Sequence, residues 1–416
     1  MTKIQLEDLA PLSRALLANS TFRDVISRQI EKSTPNAKSG VLNLEIHPND
    51  QMLEYSLLHL KSAGAALSQY FGVALQQHKA ADQIISVFYP QRSAIKVLDF
   101  ACGYGRMLRF LAQSVRPDQI WASDIQSDAV DFVVTSFGVN GIYSDVDPAK
   151  FQPDRKFDFI WVASLFSHLP GPLFDEWLAK LGSVLSPQGV ICFSVHDEVL
   201  LPAGQRMADK GIVFASESEN AELAKDAYGT THVSESYVRG AIERAFGKAH
   251  PYRRLKRGLA YQQDLYVVSK DAARDLTVLD AFRWGPWGWV DVRSIRENGD
   301  LNLSGWATSF DHGGIDSVSV SYDGNRVDCK VNVVRADVEG VFQDARLRQS
   351  GWETVCKLRP GTQESLVEIL AHGTNGDSAL LYAGAISEPL VASKPLAPLS
   401  LSSKIKRLLF NVLGKS

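Results

Sequence analysis

The sequence predicts an α/β protein built on a doubly wound, mostly parallel sheet, with helices before it and an all-β module after it. Three observations carry this. The first 90 or so residues place apolar side chains at helical spacing; from Ala94 short apolar runs alternate with helical stretches; and beyond Trp289 short alternating runs separated by turn residues take over. At 416 residues the chain exceeds one ordinary core. The expected division is a helical extension or cap over 1–90, an α/β domain over 91–272, a β-sandwich module over 285–390 and an amphipathic tail over 399–416.

Each element has its own signal. Residues 51–86 read as one long helical run through Leu53, Leu57, Leu60, Leu67 and Phe71, after the breakers Pro35, Asn36 and Gly40. Strands are expected at 95–100, 120–124, 157–164 and 190–196, the last preceded by a Ser186-Pro187-Gln188-Gly189 turn. Helices are expected at 105–114, 128–137, 172–185 and 234–246, and a final strand at 265–269. Trp284, Trp287 and Trp289, set among Gly285, Pro286 and Gly288, mark the entry to the β module, and 393–398 reads as a linker.

Composition excludes several classes. A net charge of -3 argues against a dedicated nucleic-acid binder. The four cysteines Cys102, Cys192, Cys329 and Cys356 have no metal-ligand or C-x-x-C spacing, and no metal site is expected. Acids occupy the N-terminus where a signal peptide would be apolar, and no run is long enough to span a membrane, so a cytoplasmic protein is expected.

The chemistry concentrates at Asp99-Phe100-Ala101-Cys102-Gly103-Tyr104-Gly105. Glycines between a strand and a helix let the backbone approach a ligand closely. A dinucleotide fingerprint would need a third glycine where this chain has Leu108. The acid at Asp99 repels pyrophosphate and suits a ligand with a cationic end. Asp124, closing the next strand, sits where a carboxylate can accept ribose hydroxyls.

These residues resemble motif I of class I S-adenosylmethionine-dependent methyltransferases, in the variant D-x-x-C-G-x-G-R. Ala122-Ser123-Asp124-Ile125, Phe157-Asp158-Phe159-Ile160-Trp161 and Leu185-Ser186-Pro187-Gln188-Gly189 follow in that family's order. Ser164-Leu165-Phe166-Ser167-His168-Leu169 and Gln263-Asp264-Leu265-Tyr266-Val267-Val268 are similar to a bacterial subgroup. The resemblance covers residues 50–270 and implies a Rossmann-like fold and S-adenosyl-L-methionine as cofactor, held by Asp99, Ala101, Cys102, Gly103, Gly105, Asp124, Ile125, Asp145 and Ser164. It departs at Ser144-Asp145, where the family often has Gly-Asp, which bears on Asp145 as an adenine ligand.

A hydroxyl acceptor gains from a nearby base, and histidine is matched to neutral pH. Ligands of open α/β sheets bind beyond the C-terminal strand ends, where His168 and His196 fall. These are the candidate bases, with His168 preferred and His232 a third; the alternative is histidines that only order loops. Leu303-Ser304-Gly305-Trp306-Ala307, with 315–324 and 335–338, resembles a β-sandwich module attached to bacterial glycan-modifying enzymes. Trp306 is expected in that module's core. Lys404, Lys406 and Arg407 beside an apolar stripe make 401–414 a basic amphipathic helix suited to a membrane surface or a partner.

The resemblance thus implies methylation of a sugar hydroxyl in a bacterial surface polysaccharide or glycoconjugate. The alternatives are a small-molecule or protein methyltransferase, or a binding protein that keeps the cofactor pocket without turnover. The acceptor is a small molecule or glycan, peripheral contact at the inner membrane face would run through the tail, and a homo-oligomer is left open.

Overall fold

A computed structural model describes residues 6–33, 42–202, 204–216, 227–359 and 365–386; the linker and tail expected at 393–398 and 399–416 lie outside these. The described residues fall into two compact units, one of 6–33, 44–75 and 283–386, the other of 42–43 and 76–282.

Four helices come first: α1 (Leu6–Ala18), α2 (Ser20–Ser33), α3 (Gln51–Leu60) and α4 (Ala63–Phe88). The single run expected over 51–86 is therefore two helices. Lys61 adopts a left-handed φ of 50° and its N–H bonds to the Leu57 carbonyl, which stops α3. Asp50 caps the other end through Met52 N–H at 2.9 Å, and its second oxygen accepts the Tyr70 hydroxyl at 2.6 Å.

The α/β unit contains β1 (Val97–Phe100), α5 (Leu108–Ser114), β2 (Ile120–Asp124), α6 (Ser127–Phe137), β3 (Asn140–Tyr143), β4 (Phe157–Val162), α7 (Gly171–Ser183), β5 (Leu185–Asp197), β6 (Ile212–Ala215), β7 (Thr230–Val233), α8 (Glu235–Phe246), β8 (Tyr252–Leu259) and β9 (Gln263–Ser269). The order β3-β2-β1-β4-β5 is parallel throughout, and β9 lies antiparallel between β5 and β8. β7 continues along β5 where β9 stops, pairing His232 with His196. β1, β2 and β9 are buried along their whole length, and their apolar residues are broken only by Asp99, by Ser123 and Asp124, and by Gln263, Asp264 and Ser269. Leu98, Phe100, Ile160, Phe174, Ile191, Phe193 and Tyr266 share one core.

β3 and β6 were not among the expected strands, and three others also differ. β5 begins at Leu185, paired to Phe157, so the Ser186–Gly189 turn is an irregular lead-in within the strand. β8 carries Arg253, Arg254, Lys256 and Arg257 and is only half buried; charge on an outer strand hides its β character while protecting the sheet edge. β7, Thr-Thr-His-Val, has too little apolar content to signal a strand.

The other unit's C-terminal strands are β10 (Trp287–Ile295), β11 (Leu301–Thr308), β12 (Ile315–Tyr322), β13 (Asn325–Cys329), β14 (Gly351–Cys356), β15 (Leu366–Gly373) and β16 (Ser378–Ala385), with α9 (Ala336–Phe342) before β14. They form antiparallel sheets of order β10-β11-β14 and β13-β12-β15-β16. Leu303, Val318, Val320, Trp352, Ile369 and Tyr382 join both sheets in one core. Trp306 is not in it. Leu301, Leu303, Gly305 and Ala307 turn inward along β11, so alternation sends Trp306 outward, where it meets Phe342 of α9 at 5.8 Å; Trp352 fills the core instead. The four cysteines are free thiols. Among the described residues no helix is long and apolar enough to cross a membrane.

Candidate active site

Chain order reverses between β1 and β4, and the site lies beyond the C-terminal ends of these strands. Asp99 is the penultimate residue of β1, and after Phe100 the backbone turns through left-handed conformations at Ala101, Gly103 and Gly105 (φ 58°, 51° and 72°). The turn is tied to β2: Cys102 N–H donates to the Ser123 carbonyl at 3.1 Å and Gly103 N–H to Asp124 Oδ2 at 2.8 Å. Asp124 Oδ1 accepts Gln126 N–H at 3.0 Å. Each carboxylate oxygen keeps a further lone pair for a ligand hydroxyl.

The two glycines serve different needs. A Cβ on Gly103 would meet nothing within 4 Å, so the cradle is open there. One on Gly105 would meet Phe137 Cε2 at 2.7 Å and Val133 Cγ1 at 2.8 Å, so this glycine lets the turn pack against α6. Asp99 and Asp124 are 5% and 7% exposed. Burial, and then the neighbouring Asp124, push the Asp99 carboxyl up to about 8; burial also raises Asp124 against the pull of its backbone N–H donors. Two buried acids beside an open glycine fit a ligand that brings a cation and hydroxyls. Burial and the two acids hold the Cys102 thiol protonated.

A second cluster forms beside this one, at the ends of β4, β5 and β7. Ser164 takes a left-handed φ of 61°; its N–H donates to Ser194 Oγ at 2.8 Å. His168 lies four residues on, its Nδ1 2.7 Å from the Gly229 carbonyl, stacked on Tyr228 at 4.7 Å between centroids. A carbonyl only accepts, so Nδ1 carries the proton and Nε2 is the basic nitrogen. The His168 and His196 rings are 6.1 Å apart, and those of His196 and His232 5.4 Å. Burial depresses all three: His168 is lowered, His196 lies well below the usual range and His232 falls to about 4. All three are therefore neutral at physiological pH. Among the described residues no group of side chains is arranged to hold a metal ion.

The predicted residues thus separate into two sets. Asp99, Ala101, Cys102, Gly103, Gly105, Asp124 and half-buried Ile125 gather at the ends of β1 and β2; Ser164, His168 and His196 gather at β4 and β5. Asp145 follows Ser144, whose N–H donates to the Asp124 carbonyl at 2.9 Å, and its half-buried carboxylate accepts Asp147 N–H at 3.0 Å and pairs with Lys150 at 3.0 Å. Sequence reasoning missed Gln263, whose Oε1 accepts Ser194 Oγ at 2.6 Å and Ser164 Oγ at 3.2 Å while Nε2 lies 3.2 Å from His196 Nε2. It also missed Arg254, which joins Asp197, Glu235 and Asp264, each at 2.6 Å. Arg254 lies in a strand that was not expected, and Gln263 sits just ahead of the strand expected at 265–269, where nothing in its spacing marks it.

Residues 97–189 match the model of a methyltransferase domain. The matched stretch holds Asp99, Gly103, Asp124, Asp145, Ser164 and His168, whereas His196 and Gln263 fall beyond it. The chain is similar to the fatty-acid O-methyltransferase of Mycolicibacterium smegmatis, 30% identical over 102 residues that make up 24% of this chain and 36% of that protein. It is 21% identical over 205 residues to the malonyl-[acyl-carrier protein] O-methyltransferase of Bacteroides fragilis, covering 46% and 41% of the two chains. The chain thus spans less than half the length of either relative. Among solved structures it is similar to an S-adenosylmethionine-bound amino pentose methyltransferase of Micromonospora echinaspora, with a TM-score of 0.34, 15% identity and coverage of 47% and 91%.

Proposed function

We propose that this protein is an S-adenosylmethionine-dependent O-methyltransferase. The observation that carries the reading is the buried pair Asp99 and Asp124 flanking Gly103, whose missing Cβ leaves the turn open. Asp99 would hold the amino-acid ammonium, Asp124 the ribose hydroxyls, and the backbone of 101–105 with Ile125 and Ser164 the rest. Asp145, next to Ser144 on the Asp124 carbonyl, would take the adenine amine, since each of its oxygens keeps a lone pair beyond its bond to Asp147 N–H or Lys150. When bound, the cofactor supplies an electrophilic methyl group on a sulfonium.

On the acceptor side, His168 Nε2 would take the proton that an acceptor hydroxyl gives up, and the Gly229 carbonyl fixes the ring in the required tautomer. A neutral base suits a hydroxyl, which must lose a proton as its oxygen is methylated. This supports the reading of a sugar hydroxyl in a glycoconjugate, together with the resemblance of the C-terminal strands to modules of glycan-modifying enzymes. A carboxyl acceptor is the second reading, favoured by the fatty-acid and malonyl names of the two relatives.

Transfer of labelled methyl groups to nucleotide-sugars and lipid-linked oligosaccharides, beside fatty acids and malonyl-acyl carrier protein, tests both. A sugar ether keeps its label in mild alkali, and that is the result expected. Label released as methanol would mark an ester and a carboxyl acceptor. Saturable cofactor binding without transfer to any of them would sink the enzymatic reading.

A further inference from the structure

Gln263 sits where three strand ends meet, and its partners fix its orientation. Because Oε1 accepts both serine hydroxyls, Nε2 must face His196. A carboxamide nitrogen only donates, so His196 Nε2 is the acceptor and its ring proton is on Nδ1. The basic lone pair of His196 is thereby committed to Gln263, while that of His168 is not involved in its bond to Gly229.

The same carboxamide reaches the loop that carries His168. Ser194 donates to Gln263 and accepts Ser164 N–H, so Gln263 helps to hold a residue in the left-handed region. Ser167 Oγ then bonds back to the Ser164 carbonyl at 2.7 Å, and His168 N–H to Leu165 at 2.9 Å.

Gln263 is itself held rigidly. It follows a tight turn closed by Gln262 N–H on the Leu259 carbonyl at 3.0 Å, with Ala260 and Tyr261 both at positive φ (50° and 61°) and both buried. Two successive non-glycine residues in this conformation are strained and persist only where surroundings enforce them. Gln76 Oε1 does so in part, accepting Ala260 N–H at 2.6 Å.

We propose that Gln263 is a positioning residue of the acceptor side: it withdraws His196 from proton transfer and holds the Ser164 turn, so that the proton passes to His168 alone. This rests on the reading of His168 as the proton acceptor. The hydroxyl proton moves to His168 Nε2 as the O–CH3 bond forms and the S–CH3 bond breaks, leaving a neutral thioether.

Histidine side-chain NMR of the full chain tests it without reference to turnover. In the wild type, long-range 1H–15N spectra should place the His196 proton on Nδ1; a proton on Nε2 overturns the proposal before any variant is made. In Q263E the carboxylate still accepts from the two serines but offers His196 no donor. His196 should then take up a proton earlier than in the wild type as pH falls, with His196→Gln spectra providing the assignment. An unchanged titration overturns the proposal. With an acceptor in hand, Q263E should lower kcat by roughly tenfold or more and shift its pH profile. A shifted His196 with an unmoved kcat profile would also overturn the positioning role. Absence of methyl transfer in the wild type would instead refute the enzymatic reading and leave the NMR result standing.

Discussion

Replacing Asp99 with asparagine should flatten the pH dependence of the α/β unit. Asp99 is 5% exposed, and burial followed by repulsion from Asp124 lifts its carboxyl to about 8. An aspartate in the unfolded chain titrates near about 3.9. Between those values the folded, ligand-free protein keeps a proton that the unfolded chain has lost. The contribution of Asp99 is therefore fully present below about pH 4 and is lost progressively as pH rises to about 8. Each pH unit in that window removes about 1.4 kcal/mol, so the total is on the order of 5 kcal/mol. Asparagine keeps the shape and cannot ionise. The gap in stability between D99N and wild type should widen by roughly 4 kcal/mol from pH 5 to pH 8. Native-state hydrogen exchange of β1 and β2 amides reads this unit by itself, and comparing variant with wild type at each pH cancels intrinsic exchange rates. Parallel stability curves would refute the reasoning. The same electrostatics makes cofactor binding release a proton. A cationic ligand favours ionised Asp99, so calorimetry at pH 7 in buffers of different ionisation enthalpy should find roughly one proton released, and none for D99N.

Other perturbations separate the roles of neighbouring residues. Gly105→Ala should cost about 2–4 kcal/mol, because its Cβ would strike Phe137 and Val133 at a positive φ, whereas Gly103→Ala should cost about 1 kcal/mol of stability and act mainly on cofactor affinity. Chemical denaturation and a binding titration on the two variants check this pair. His168→Gln should reduce kcat by about 10²–10⁴-fold with cofactor affinity kept, measured by labelled methyl transfer once an acceptor is found. Trp352→Ala should destabilise the C-terminal sheets by about 3–5 kcal/mol, while Trp306→Ala, at a half-buried position, should cost less than half of that in thermal unfolding.

The cofactor side of the site was legible because it is local in sequence. Asp99, Gly103 and Gly105 occupy one turn, and Asp124 closes the next strand in the chain. A buried strand such as β4, with Phe159, Ile160, Trp161 and Val162 in a row, announces itself as an apolar run. The acceptor side depends on Ser164, Ser194 and Gln263 meeting at the ends of three strands, and no spacing within one element encodes that. β8 was hidden by its own arginines, and with it the hairpin that places Gln263. Trp306 was misplaced because alternation gives two faces without saying which is inside; Gly305, inward and opposite Trp352, decides it.

His168 and the strand after it are fastened to one another by backbone. Gly229 N–H donates to the His168 carbonyl at 2.9 Å, Thr231 N–H to Ser167 at 2.7 Å, and Thr231 Oγ1 to Leu169 at 2.6 Å. At the other end, Arg254 grips Asp197 as it leaves β5. The chain between Asp197 and Gly229 therefore starts and finishes at fixed posts. Within that stretch Tyr228 stacks on His168 and β6 pairs with β7, so a segment grafted from a related enzyme must keep both contacts if it is to change the acceptor and leave His168 in place.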